Sequence, residues 1–246
     1  MANILEETVT QVNHWSKRTF SFRTTRSQSF RFEAGEFAMI GLKSNNKNIL
    51  RAYSIVSAPW EEELEFYSIK LDDGELTSQL QHIKPGDKII MQSKCVGSLR
   101  NESLTLGNTL WLLSTGTGIA PFMSLTRDLD TLGRWDRIVL VHSARNRNEL
   151  AYYTELSTNF SDSDLHELVG DKLSYCPTVT GEGDERITKQ LESGSLTINP
   201  QSDRVMICGN TQFNKDVIAW CKQHNMKQGT LRTPGDFIFE TAFIER

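Results

Sequence analysis

The stretch STGTGIAPF, residues 114–122, decides the fold. An apolar run, TLWLLS (109–114), leads into it, and FMSLTRDLDTL (122–132), with helical spacing, follows. The order is strand, glycine turn, helix. Gly116 and Gly118 let backbone approach a pyrophosphate closely. Pro121 suits a first helical turn, where the missing N–H costs little, and a helix N-terminus attracts phosphate. The sixth position of the usual G-x-G-x-x-G is here Pro121, so a simple tight turn remains the other reading of these residues.

Toward the C-terminus the alternation continues. RIVLVH (137–142), LSYCPTVT (173–180) and RVMIC (204–208) read as strands. NELAYYTELST (148–158), RITKQLESG (186–194) and QFNKDVIAWCKQH (212–224) read as helices. Such alternation implies a doubly wound parallel sheet covered on both faces. The terminal run GDFIFETAFIER (235–246) reads as a last strand docked on the body.

Toward the N-terminus the rhythm is all-β. TFSFRTT (19–25), SFRFEAG (29–35), FAMIGL (37–42), RAYSIVS (51–57), LEFYSIKL (64–71) and DKIIMQS (87–93) are short, and Gly, Pro, Asn and Asp punctuate them. This predicts an antiparallel barrel, interrupted by one helix at LTSQLQHI (76–83). The chain is therefore expected to form two domains, a β-barrel over 1–100 and an α/β domain over 101–246, joined by the polar, loop-like SLRNESLTLGN (98–108).

Composition narrows the function. The 246 residues carry a net charge of −4, which gives no basis for bulk nucleic-acid binding. No apolar run reaches membrane-spanning length and no signal peptide is visible, so a cytoplasmic protein is expected. The four cysteines form no C-x-x-C pair, so no metal site or iron–sulfur cluster is expected.

Three further stretches carry chemistry. In RAYSIVSAP (51–59), alternation puts Arg51, Tyr53 and Ile55 on one side and Ala52, Ser54 and Val56 on the other. An arginine beside a tyrosine suits an anion next to a flat ring; a packed tyrosine and a surface arginine are the plainer reading. After RIVLVH, where many dinucleotide folds place an acidic residue for the ribose 2′-OH, the chain has Ser143-Ala144-Arg145. A cation there suits a 2′-phosphate. CGN (208–210) ends a strand at the edge where open α/β sheets bind ligands; a buried cysteine before a turn is the alternative.

RAYS, FYSIKLDDGELTS (66–78), GTGIAPF, CGN and AFIER (242–246), in this order, resemble the bacterial ferredoxin(flavodoxin)–NADP reductases of the plant-type FAD-containing superfamily. The resemblance implies FAD as cofactor and NADP(H) as co-substrate. It places FAD at Arg51, Ala52, Tyr53, Ser54, Phe66, Tyr67, Ser68, Ile69, Gly74, Leu76, Thr77, Ser78, Thr117, Ala242 and Phe243. It places NADP(H) at Gly116, Thr117, Gly118, Ala144, Arg145, Thr180, Arg186, Cys208, Gly209 and Asn210. Ser54, Cys208 and Glu240 would act where nicotinamide meets flavin, as positioning groups rather than as acids or bases.

The implied activity is hydride transfer between NADP(H) and flavin, and single-electron transfer between flavin and ferredoxin or flavodoxin, by a monomer. A reductase of free flavin, quinone or an oxygenase, or a non-catalytic flavin subunit, are the rival readings. One departure stands out: the family usually carries arginine directly after the TVT strand, where this chain has Gly181.

Overall fold

The computed structural model describes residues 3–44, 47–161 and 164–243, apart from the side chains of Ser44, Lys47 and Phe243. The N-terminal half holds β1 (Ile4–Asn13), β2 (Thr19–Thr24), β3 (Phe37–Ser44), β4 (Lys47–Ser54), β5 (Leu64–Ile69) and β6 (Lys88–Gln92), with the one-turn helix α1 (Thr77–Leu80) before β6. They form one antiparallel sheet in the order β4-β3-β6-β1-β2-β5. The outer strands meet through an Ile55–Phe66 bridge and a Val56 N–H donated to the Glu65 carbonyl at 2.9 Å, which closes the barrel. Phe20, Phe22, Ile40, Ile55, Phe66 and Ile89 fill it, fully buried.

One expected strand is absent. SFRFEAG alternates because Phe30 and Phe32 are both buried in the barrel core, but the segment joins no ladder. Arg26 serves its backbone instead. The guanidinium donates to the Phe30, Pro59 and Glu61 carbonyls at 2.7–3.3 Å and lies 4.9 Å over the Phe32 ring. Conversely, β1 carries little alternation: only Glu7 and Val9 are buried along its ten residues.

The second half contains β7 (Thr109–Thr115), α2 (Ala120–Thr126), α3 (Leu129–Arg134), β8 (Arg137–Ala144), α4 (Tyr153–Ser157), α5 (Leu165–Val169), β9 (Leu173–Val179), α6 (Ile187–Ser193), β10 (Asp203–Asn210), α7 (Thr211–Gln223) and β11 (Phe237–Phe243). The sheet is wholly parallel, in the order β11-β10-β7-β8-β9. The single helix expected over 122–132 is two helices. Asp128 is extended and its carboxylate accepts from the Thr131 N–H at 2.8 Å, starting α3 as an N-cap. The helix expected from residue 148 begins only after Tyr152, whose φ of +63° breaks it.

The joint between the halves is irregular, as expected, but part of it is buried. Leu99, Ser103 and Leu104 are at most 1% exposed. Asn101 donates to Thr131 Oγ1 at 2.7 Å and accepts from the Trp135 indole at 3.0 Å. Helix α2 ties the sheet to the barrel: Ser124 Oγ donates to the Ser57 carbonyl at 2.7 Å. The buried Arg127 donates to the Val56 carbonyl at 2.8 Å and pairs with Glu61 at 3.1 Å. Among the described residues no helix is long and apolar enough to cross a membrane.

Candidate functional site

The sheet order reverses between β7 and β10. Chain order runs from β7 outward to β8 and β9 on one side, and β10 and β11 lie on the other. Crevices of this kind, at strand C-termini, receive ligands in open α/β sheets. Here the turn Gly116–Ile119 leaves β7, and Pro121 sits in the first turn of α2. Gly116 has a φ of +53°, which favours glycine. A Cβ on Gly118 would lie 2.0 Å from the Cys208 carbonyl oxygen, so the turn closes on β10 only because position 118 is bare. Gly209 is equally constrained, since its Cβ would meet Thr115 Oγ1 and the Phe213 ring at 2.4 Å. Asn210 caps the helix that follows, accepting from the Phe213 N–H at 2.9 Å.

His142, on β8, supports this turn from below. It is fully buried, with Nε2 3.1 Å from the Gly116 carbonyl and Nδ1 3.4 Å from the Tyr175 hydroxyl. Burial lowers its pKa to about 4, so the neutral ring donates Nε2–H to Gly116. Nothing in the spacing of the five histidines distinguishes it in the sequence.

Cys208 and Glu240 are register partners across β10 and β11. The thiol is 1% exposed, and burial, then the nearby Glu240 carboxylate, pushes its pKa up, so it is no thiolate. Glu240 is half-buried. Burial raises its pKa, against hydrogen bonds from Ser98, whose N–H donates to Oε1 and whose hydroxyl lies 3.0 Å from it. Ser98, from the segment that leaves the barrel, is the contact that sequence reading missed; only proximity in space reveals it.

On the barrel side, the alternation in RAYSIVS holds. Tyr53 and Ile55 pack on the barrel core, whereas Val56 enters the cluster shared with the second half. Arg51 and Ala52 are exposed, and Ser54 is half-buried opposite Phe37. The Arg51 guanidinium donates to Glu75, joining β4 to the turn that contains Gly74. In that turn Thr77 Oγ1 reaches the Leu71 carbonyl at 3.3 Å, and a Cβ on Gly74 would collide with it at 2.0 Å. The helix expected over 76–83 is a single turn, so its dipole is small.

Not every residue read as flavin-lining presents its side chain. Phe66 and Leu76 are buried in the barrel core. They can line a ligand only through backbone, because the strand and turn that carry them need those side chains to fill the barrel. Tyr67 is 4% exposed, edge-on to the Tyr152 ring with centroids 5.8 Å apart. Ser68 lies 3.5 Å from the Tyr53 hydroxyl; Ile69 and Ser78 are half-buried. Ala242 is half-buried against the shared core, and the side chain of Phe243 lies outside the described residues.

The remaining positions gather at the ends of β8 and β9. Ala144 is buried, and Thr180 Oγ1 donates to its carbonyl at 3.3 Å. Arg145 directly follows β8, and Arg186 stands at the start of α6, which follows β9; both are exposed. The Gly116–Ile119 turn, with the half-exposed Thr117, touches β5 of the barrel as well as β10 and β11. One turn thus brings the two halves together.

An exposed guanidinium, a half-buried tyrosine ring and a bare glycine turn on the barrel fit a flat, phosphate-bearing cofactor. A second bare turn at a strand exit fits a dinucleotide.

The comparisons agree. The Oxidoreductase FAD-binding domain family matches residues 6–98, and the Oxidoreductase NAD-binding domain family matches residues 112–218. The flavodoxin/ferredoxin–NADP reductase of Rhodobacter capsulatus is 46% identical, over 97% of this chain and 93% of that one. The ferredoxin–NADP reductase of Azotobacter vinelandii is 43% identical over the whole of both. A crystal structure of a ferredoxin NADP+ reductase from Neisseria gonorrhoeae, with bound FAD and NADP, superposes with a TM-score of 0.89 at 29% identity, covering 99% of this chain and 100% of that one. With the two domain families in tandem and such identity over the full length, the chain belongs to the ferredoxin(flavodoxin)–NADP reductase family of oxidoreductases.

Proposed function

We propose that this chain is an FAD-dependent reductase that exchanges a hydride with NADP(H) and single electrons with ferredoxin or flavodoxin. The observation that carries the reading is the contact of the Gly116–Ile119 turn with barrel strand β5 and with β11, which bears Glu240. Bound FAD supplies the conversion between a two-electron hydride and one-electron steps. The protein's part is binding and alignment.

In this reading residues 1–100 hold FAD and 101–246 hold NADP(H). Arg51 would exchange Glu75 for the diphosphate, beside the turn of Gly74, Leu76, Thr77 and Ser78. Tyr53 offers its ring to the flavin, and Ser54 a hydroxyl at its edge. Ala242, being small, leaves room on the opposite face. Gly116, Thr117, Gly118, Gly209 and Asn210 cradle the coenzyme, and Arg145 and Arg186 take its 2′-phosphate. Cys208 and Glu240 position the nicotinamide and need not exchange protons. The chain works as a cytoplasmic monomer.

Turnover with NADPH, using ferredoxin, flavodoxin and free FMN as acceptors, tests this. Faster turnover with a carrier protein is expected. Faster turnover with free FMN would make the chain a flavin reductase, and no turnover with any acceptor would make it an electron-transfer subunit.

A further inference from the structure

Arg147 lies two residues beyond Arg145, in the short 3-10 turn Arg147–Glu149 that follows β8. Its guanidinium donates to Glu182 Oε2 at 2.8 Å. Glu182 belongs to the turn after β9 and follows Gly181 directly. The ion pair therefore bridges the segment after β8, which carries Arg145, and the segment after β9, which leads to Arg186.

Gly181 explains why the pair matters. Its N–H donates to the Arg145 carbonyl at 2.9 Å, and a Cβ there would lie 2.4 Å from that same oxygen. Position 181 can carry a side chain only if the Arg145 backbone moves. The arginine expected directly after TVT is thus excluded by the local backbone, while a different arginine stands beside it from the neighbouring loop. Both members of the pair are exposed, 64% and 48% at the side chain, so solvent screens their attraction. A phosphate, with more charge and more acceptor oxygens than a carboxylate, competes well for such a guanidinium.

We propose that Arg147 is a third cation of the 2′-phosphate site, replacing the arginine that Gly181 excludes, and that Glu182 holds it in place until the coenzyme arrives. This rests on the reading of Arg145 and Arg186 as 2′-phosphate ligands. Glu182 then has two effects: it orders Arg147 in the free protein and opposes the coenzyme's entry.

Calorimetric titration of the FAD-loaded protein with NADP+, NAD+ and 2′,5′-ADP tests the assignment without turnover. Arg147→Ala should weaken NADP+ and 2′,5′-ADP about 10-fold or more and leave NAD+ within about twofold, since one lost charged contact is worth about a decade. Arg147→Lys should fall between, and Glu182→Gln should tighten NADP+ about two- to fivefold. Equal losses for NADP+ and NAD+ in Arg147→Ala, or no loss, would overturn the proposal. So would full recovery of NADP+ affinity in Arg147→Ala/Glu182→Gln, because the loss would then come only from the stranded carboxylate. If Arg145→Ala and Arg186→Ala also leave 2′,5′-ADP binding intact, the 2′-phosphate site itself is misplaced; if they weaken it while Arg147→Ala does not, only the present assignment fails.

Discussion

Cys208 and Glu240 stand side by side on parallel strands β10 and β11, and the carboxylate is fastened to Ser98 of the barrel's exit segment. A half-buried acid thus bridges the two halves of the molecule at the mouth of the crevice.

Glu240 carries a raised pKa because it is buried, so its sign is opposite to that of a salt-bridged acid. The folded state holds the proton more tightly than the unfolded chain does. The associated stability is full below the unfolded pKa and is lost as pH rises through the folded one. Glu240→Gln should therefore melt higher than the parent above neutral pH and match it more closely in acid. It should also slow hydride transfer from NADPH, the usual exchange of function for stability. Melting curves at pH 5 and pH 8, alongside single-turnover flavin reduction, check both halves of this expectation.

His142 behaves in the opposite sense. With its pKa lowered to about 4, against 6.5 for an ordinary histidine, its contribution is fully present above pH 6.5 and is lost as pH falls toward 4. The shift corresponds to roughly 3 kcal/mol. Denaturant titrations across pH 4–7 should show this loss in the parent. His142→Gln, which retains a donor for the Gly116 carbonyl and does not titrate, should flatten the curve. An unchanged slope in the variant would mean that acid destabilisation originates elsewhere.

Arg127 is a buried tie between the barrel and the sheet. Removing it takes one cation from the half-buried Glu61, which keeps the Ala58 N–H at 2.8 Å and Arg23 at 3.9 Å, and it frees the Val56 carbonyl. Arg127→Ala should cost about 1.5 to 3 kcal/mol, the range for losing hydrogen bonds to a charged group. Trp60→Phe loses one indole hydrogen bond to the Arg127 carbonyl, 2.9 Å long, and should cost only about 0.5 to 1.5 kcal/mol. Urea unfolding measures both.

At the coenzyme end, Arg145→Ala and Arg186→Ala should each lower kcat/KM for NADPH by roughly 10- to 150-fold, mainly through KM, and leave NADH almost unaffected. From the sequence, Gly181→Arg would be expected to sharpen the preference for NADPH. The structure reverses that expectation, because the new Cβ would press on the Arg145 carbonyl. Steady-state kinetics with both coenzymes should show NADPH efficiency falling in this variant too.

The architecture was legible in the sequence because its two halves differ in period. Alternation of two gave the barrel strands, and buried runs punctuated by glycine gave the parallel sheet. The errors have local causes. Phe30 and Phe32 alternate as a strand would, yet Arg26 takes the place of a ladder. Asp128 breaks a helix whose apolar spacing runs straight through it. The glycine turns and the RAYS strand were visible as motifs. His142, Ser98 and Arg147 were not, since each matters through a neighbour at least 26 residues away in the chain.

The most direct test of the central claim is anaerobic stopped-flow mixing of the purified yellow protein with one equivalent of NADPH, followed by oxidised flavodoxin or ferredoxin. The account predicts that NADPH bleaches the bound FAD in a single fast phase, and that the carrier then restores the flavin absorbance as it takes up electrons one at a time. A flavin that NADPH leaves oxidised, or one that free FMN reoxidises and neither carrier does, would contradict it.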